Sequence, residues 1–274
     1  MRLGAVSYLN VRPLVYGLEQ YPDRVSVRFD VPSVCAERLA DGSIDLGMVP
    51  SIAHLDRPDD RIVPGVCIGS KGPVASVALF TRMPLAAVRT IALDTSSRTS
   101  AVLTRILCAR RFGIAPAFVP APPDLDAMLA GADAALLIGD PALFLDAPGR
   151  GLAKIDLGAE WTAMTGLPFV WAFWAGRSGA ADAATVQLLQ ASADAGMAHA
   201  DEVADAYCAG APERQPLARQ YLRDHLAFRF DVAAVRGLTA YYREAAAIGL
   251  VTEAGPLRFF DEPARPGGCR ARPE

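Results

Sequence analysis

The sequence predicts an α/β protein of two lobes, one inserted into the other and joined by two hinge crossings. Three observations predict it. Short β-branched runs alternate with helical patterns from the first residues, a second alternation begins at Thr90, and from Asp182 the chain reads as helical to about Leu250. Strand–helix–strand order calls for a parallel sheet with right-handed crossovers. Two such units within 274 residues call for two lobes.

Residues 3–7 read as the first strand, and Pro13 suits the first turn of a helix running to about Gln20. Residues 25–29 alternate apolar and polar, as a half-buried strand does. Ser33 is the expected N-cap of a helix through Leu39, with Glu37 supporting the first turn. DLGMV (45–49) reads as a buried strand, and Ser51 follows as a cap. Residues 61–80 are too long and too interrupted for one ordinary strand. Gly65, Gly69 and Gly72 divide them into a strand, a turn and a longer strand leaving the first lobe.

In the second unit, TIALD (90–94) precedes a helix over 101–112, a strand over 117–119 and a short helix over 125–129. The buried strand AALLI (134–138) follows, and Pro141 opens a further turn. FVWAFWA (169–175) reads as the strand returning to the first lobe. A 3–4 stripe from Val186 through Leu189 and Ala193 to Tyr207 predicts one long amphipathic helix, followed by helices over 215–228 and 232–248. The tail after Glu262, rich in Pro, Gly and Arg, reads as frayed. The crossings fall near 80–88 and 172–178. Residues 1–84 and 176–274 then form lobe 1, and 85–175 form lobe 2. Ligands of open α/β sheets bind beyond the strand C-termini, which places the cleft between the lobes.

Composition narrows the function. Hydrophobic residues at 52% and charged residues at 21% support a sizeable core and argue against disorder. A net charge of -3 gives no footprint for nucleic acid or an anionic membrane. The apolar run after Arg2 is too short for a signal peptide, and no window reaches the roughly 20 apolar residues of a membrane span. The expectation is a cytoplasmic protein. Cys35, Cys67, Cys108, Cys208 and Cys269 are scattered singly and read as reduced structural thiols. His54, His199 and His225 are isolated and read as surface or capping residues. No metal and no cofactor is expected. The absence of GxGxxG, P-loop, HExxH and GxSxG patterns removes support for dinucleotide, ATP, zinc-hydrolase and α/β-hydrolase chemistry.

Five polar clusters fall at the expected cleft: Ser7 to Asn10, Pro50-Ser51, Ser70 to Pro73 with Ser76, Thr95 to Ser100, and Gly139-Asp140. The fourth has the clearest physics. A helix start leaves unpaired N–H groups and a positive dipole end, and small hydroxyl residues there admit an anion or simply cap the helix. Gly72 before Pro73 suits either a close backbone approach to a ligand or a turn. Asn10 is either a ligand donor or a cap, and Asp140 either orients a ligand hydroxyl or caps the following turn. Trp161, Trp171 and Trp174 read as core and hinge packing, with one of them able to line the cleft.

Taken in order, VSYLNVRPL (6–14), DLGMVPS (45–51), SKGPVASV (70–77), DTSSRTSAVL (94–103) and LLIGDPAL (136–143) resemble the chorismate dehydratase family of the futalosine route to menaquinone. The resemblance implies a type II periplasmic-binding-protein fold. The sister enzyme, 1,4-dihydroxy-6-naphthoate synthase, carries a Ser-Pro-Cys-Pro-Asn-Asp type segment where this chain has SYLNVRPL, which favours the dehydratase. The implied reaction is a hydro-lyase step from chorismate to 3-[(1-carboxyvinyl)oxy]benzoate and water. On this reading Asn10, Ser76 and Asp140 are the catalytic candidates. Ser7, Ser51, Ser70, Gly72, Thr99, Ser100 and Trp171 are the substrate-binding ones. The partner is a small dicarboxylate, and the protein is a monomer or homodimer. The rival from another class is a non-catalytic solute-binding protein.

Overall fold

The computed structural model describes residues 1–252 and 254–260, without the side chains of Pro32 and Ser33. Cys269 and the tail after Glu262 therefore lie outside the described residues, and the cap expected at Ser33 falls instead on Val31, because Pro32 already opens the helix and puts Ser33 inside it. Two mixed sheets form the frame. In the first, β1 (Arg2–Val6), β2 (Ser26–Asp30) and β3 (Leu46–Pro50) run parallel, with β1 in the middle. Helix α1 (Pro32–Asp41) makes the crossover from β2 to β3. After β4 (Arg61–Ser70), still in this sheet, the chain enters the second sheet. There β5 (Val77–Thr81), β6 (Thr90–Asp94), β7 (Ala117–Ala121), β8 (Ala134–Ile138) and β9 (Ala153–Asp156) stand in the order β7-β6-β8-β5-β9.

Helices α2 (Arg98–Leu107) and α3 (Leu125–Gly131) connect the parallel strands β6, β7 and β8. The short α4 (Gly139–Leu143) follows β8, and α5 (Leu157–Thr165) leads out to β10 (Phe169–Gly176). This last strand lies antiparallel between β3 and β4 in the first sheet. Helices α6 (Ala183–Ala198), α7 (Ala200–Tyr207) and α8 (Gln215–Gln220), the edge strand β11 (Ala227–Phe230) beside β4, and α9 (Val232–Ala247) complete the described fold.

Strand pairing moves the crossings expected near 80–88 and 172–178. The chain leaves the first sheet over 71–76 and returns over 157–168, because β5 pairs with β8 and β9 while β10 pairs with β3 and β4. FVWAFWA is apolar throughout because it is an interior strand with both faces covered, not a linker. In place of boundaries at 85 and 175, we propose lobe 1 as 1–70 with 169–260 and lobe 2 as 77–156.

Other expectations shift for local reasons. Residues 61–70 form one strand, which absorbs Gly65 (φ 78) through register shifts against its partners. The segment after β1 is a 3-10 helix, Leu9–Val15, with Pro13 inside it, and not an α-helix opened by that proline. It packs under α6, where a Cβ on Gly196 would overlap the Pro13 carbonyl; only glycine allows this approach. The long stripe breaks at His199, whose ring stacks on Tyr16 at 5.1 Å. The helix expected over 215–228 becomes α8, a π-helical turn at Tyr221–His225, and β11. Trp161 and Trp174 are fully buried in the core, as expected.

Candidate functional site

Between the lobes lies a cleft with about 630 Å³ of empty space, part of it open to solvent. Lobe 1 contributes Tyr8, Asn10 and Trp171, the first crossing contributes Ser76, and lobe 2 contributes Ser96 to Ser100 except Arg98. No charged side chain is among the described residues that line it.

Asn10 sits in the turn that directly follows β1. Its Oδ1 is buried without a partner, so it can still accept a hydrogen from a ligand. Ser76 sits where the chain changes lobes. Its amide donates to the Val74 carbonyl (2.7 Å), its carbonyl accepts from the Gly139 amide (2.8 Å), and its Oγ lies 2.8 Å from Tyr221 Oη. Asp156, the N-cap of α5, holds the same crossing by accepting the amides of Val74 and Ala75 along with that of Ala159. Ala75 is thereby fixed at φ 62, which non-glycine residues rarely adopt.

At the start of α2, Ser97 Oγ accepts from the Ser100 amide (3.3 Å) and donates to Ser100 Oγ (2.8 Å). The first amides of this helix have no partner within it and present its positive end to the cleft. Thr99 Oγ1 accepts from the Ile52 amide (3.3 Å) and stands 3.4 Å from Ser51 Oγ, so this hydroxyl ties the lobes together. Tyr8 lies beside Ser96, and burial pushes its phenol up from the ordinary range, which keeps it protonated. Its ring covers Gly139, which has φ 66; a Cβ there would stand 2.9 Å from the ring. Behind Ser96, the buried Asp94 accepts from the serine amide (2.8 Å) and hydroxyl (2.6 Å); burial raises its pKa.

Of the residues expected from sequence, Asn10, Ser76, Thr99, Ser100 and Trp171 line the cleft. Ser51 and Ser70 stand one layer behind: Ser70 Oγ accepts from Trp171 Nε1 at 3.1 Å and fixes that indole. Gly72 (φ 96) turns away, its amide donating to Thr162 Oγ1. Ser7 is exposed. Asp140 does not line the cleft either. Its carboxylate accepts from the Leu9 amide (3.3 Å) and from the Tyr207 hydroxyl, clamping lobe 2 to the start of the Asn10 turn; burial raises its pKa. Tyr8, Ser96 and Ser97 fell inside the expected clusters without being singled out. Tyr221 carries no local motif that would have flagged it.

This arrangement can hold anionic groups through hydroxyls, amides and a helix end, and it can stabilise growing oxyanion charge without a cation.

Known proteins place the chain. Residues 1–247 match the family described as menaquinone biosynthesis. A chorismate dehydratase of Thermus thermophilus is 32% identical over 221 residues, which is 74% of this chain and 80% of that protein. Among solved structures, a protein from Archaeoglobus fulgidus matches with a TM-score of 0.72 at 16% identity, covering 91% of this chain and 98% of its own. The alkanesulfonate-binding protein SsuA of Xanthomonas axonopodis pv. citri, bound to MOPS, matches with a TM-score of 0.63 at 19% identity, covering 91% and 93%. A Candida albicans protein described as having the generic periplasmic binding protein fold matches at 0.65 and 12% identity, covering 91% and 90%. At these identities the structures speak to the fold alone, which is that of periplasmic binding proteins with two α/β lobes. With its sequence matched over nearly the whole described length, the chain belongs to the menaquinone biosynthesis family that contains chorismate dehydratase.

Proposed function

We propose that this protein is a carbon–oxygen lyase that converts chorismate to 3-[(1-carboxyvinyl)oxy]benzoate and water. The observation that carries the reading is the cleft itself: it lies between two lobes and sets the hydroxyls of Tyr8, Ser76, Ser96, Ser97, Thr99 and Ser100 and the amide of Asn10 on otherwise largely apolar walls, without a charged side chain among the lining residues. The reaction removes the proton on the ring carbon bearing the ether. That carbon is conjugated to the ring carboxylate, onto which charge spreads, and loss of the neighbouring hydroxyl leaves an aromatic ring. Ser100, Thr99 and the amides at the start of α2 hold the ring carboxylate and stabilise this charge. The side-chain N–H of Asn10 and the hydroxyl of Ser76 hold the enolpyruvyl carboxylate, which takes the proton as an internal base; Asn10 Oδ1 can then accept the acid hydrogen, and the proton leaves with the departing hydroxide as water.

The alternative base, Asp140, has both oxygens engaged outside the cleft lining. Such a biosynthetic enzyme belongs in the cytoplasm; no helix among the described residues is long and apolar enough to cross a membrane.

Incubation with chorismate tests the reading. A new aromatic ultraviolet band and a product lighter by one water are expected. Tight binding with an unchanged spectrum would mean a solute receptor, and no binding would overturn the assignment of this cleft to chorismate.

A further inference from the structure

Directly behind the cleft wall stands a buried phenol. Tyr221 is 1% exposed, and its Oη lies 2.8 Å from Ser76 Oγ. It belongs to the π-helical turn Tyr221–His225, a geometry that in other proteins is concentrated at functional sites. The same turn meets the crossing a second time, where His225 Nδ1 lies 3.2 Å from the Pro73 carbonyl. Tyr221 therefore touches Ser76 while lining no part of the cleft itself.

Donor strength gives this contact a direction. Burial keeps Tyr221 protonated, and a phenol donates more strongly than an alcohol. Either oxygen can donate across the 2.8 Å contact, and the stronger donor sends its one hydrogen to Ser76 Oγ. The hydrogen of Ser76 is then released from this contact, on a residue whose backbone is pinned by Val74 and Gly139.

We infer that Tyr221 is a positioning residue: it donates to Ser76 Oγ and so turns the Ser76 hydroxyl hydrogen toward a ligand carboxylate. The inference deepens the dehydratase reading and rests on it for the identity of the carboxylate.

A double-mutant cycle tests it. Tyr221→Phe keeps the ring and removes the hydroxyl. Wild type, Tyr221→Phe, Ser76→Ala and the double variant are compared for kcat and KM with chorismate, for Kd of 3-[(1-carboxyvinyl)oxy]benzoate, and for melting temperature. Tyr221→Phe is expected to lower kcat/KM at least about ten-fold when Ser76 is present and less than about two-fold when it is Ala, the mark of two groups acting as one. Equal losses in both backgrounds, or wild-type kcat/KM in Tyr221→Phe, would overturn the inference. A purely structural tyrosine would lower the melting temperature and leave kcat per folded molecule unchanged.

If Tyr221→Phe folds poorly, 3-fluorotyrosine at 221 retains the hydroxyl and strengthens the donor. It is expected to tighten product binding only where Ser76 is present, and no change or an equal change would overturn the inference. If wild type binds the product without turning over chorismate, the dehydratase reading fails and the cycle is decided on Kd alone. A wild type that binds neither overturns both.

Discussion

Asp156→Ala is the sharpest test of what holds the lobes in register. One carboxylate accepts the Val74 amide at 3.0 and 3.1 Å, the Ala75 amide at 2.6 Å and the Ala159 amide at 3.0 Å. Truncation leaves three backbone donors without this acceptor. Loss of an N-cap costs about 1 kcal/mol, and each part-buried amide left unpaired costs about 1–3 kcal/mol. Release of Ala75 from its left-handed conformation returns on the order of 1 kcal/mol. The net expectation is about 3 kcal/mol, a large share of the roughly 5–15 kcal/mol that holds an ordinary protein folded. Urea unfolding measures it directly. Asp156→Asn, which keeps a side-chain acceptor, should lose less than half as much. Ligand affinity should fall in Asp156→Ala as well, because Ser76 follows Ala75 in the chain. A loss below about 1 kcal/mol with unchanged affinity would show that water replaces the carboxylate and that the crossing is held by something else.

Asp140→Asn should leave substantial turnover, since the carboxylate lies outside the cleft lining; loss of turnover with chorismate binding intact would make Asp140 the base. Burial raises the pKa of Asp140, so its contribution to stability is greatest when protonated and is lost as pH rises through its folded pKa. Melting curves should therefore show Asp140→Asn gaining on wild type as pH rises from acid toward neutrality, and parallel curves would refute this. Gly139→Ala places a Cβ 2.9 Å from the Tyr8 ring on a backbone with φ 66 and should weaken product binding at least about ten-fold by calorimetry, a cost of about 1–3 kcal/mol. His54 is 6% exposed, and burial lowers its pKa from 6.5 to about 4. Its neutral form stabilises the fold above pH 6.5, and this is lost as pH falls toward 4, by at most about 3 kcal/mol at roughly 1.4 kcal/mol per unit. His54→Gln should flatten the acid limb of a stability–pH curve; an unchanged slope would refute this.

The sequence shows most of the strands because burial on both faces writes them as uninterrupted apolar runs, as in AALLI and TIALD. It hides the crossings for the same reason. FVWAFWA reads alike as a linker strand or an interior strand, and only its pairing with β3 and β4 decides. The short edge strand AFRF and the π-helical turn before it continue a helical composition and leave no local signal. Within the site, the hydroxyl clusters at strand ends were visible, but which side chain faces the cleft turns on a single residue of phase. Ser7 and Asp140 each adjoin a lining residue, Tyr8 and Gly139, and themselves face elsewhere. Tyr221 reaches Ser76 across 145 positions of chain, a contact set by tertiary packing alone.

The place of β10 also orders events during synthesis. Strands β3 and β4 are made early, yet the strand that belongs between them ends only at Gly176. All five strands of the second sheet emerge in between, and they pair only with one another. Lobe 2 therefore has its whole sheet available before lobe 1 does. At about 5–20 residues per second, the facing edges of β3 and β4 wait roughly 5–20 seconds for their partner. Unpaired strand edges are templates for wrong association. The insertion that builds a two-walled cleft thus leaves the nascent first lobe open to aggregation, and to chaperones, until β10 arrives.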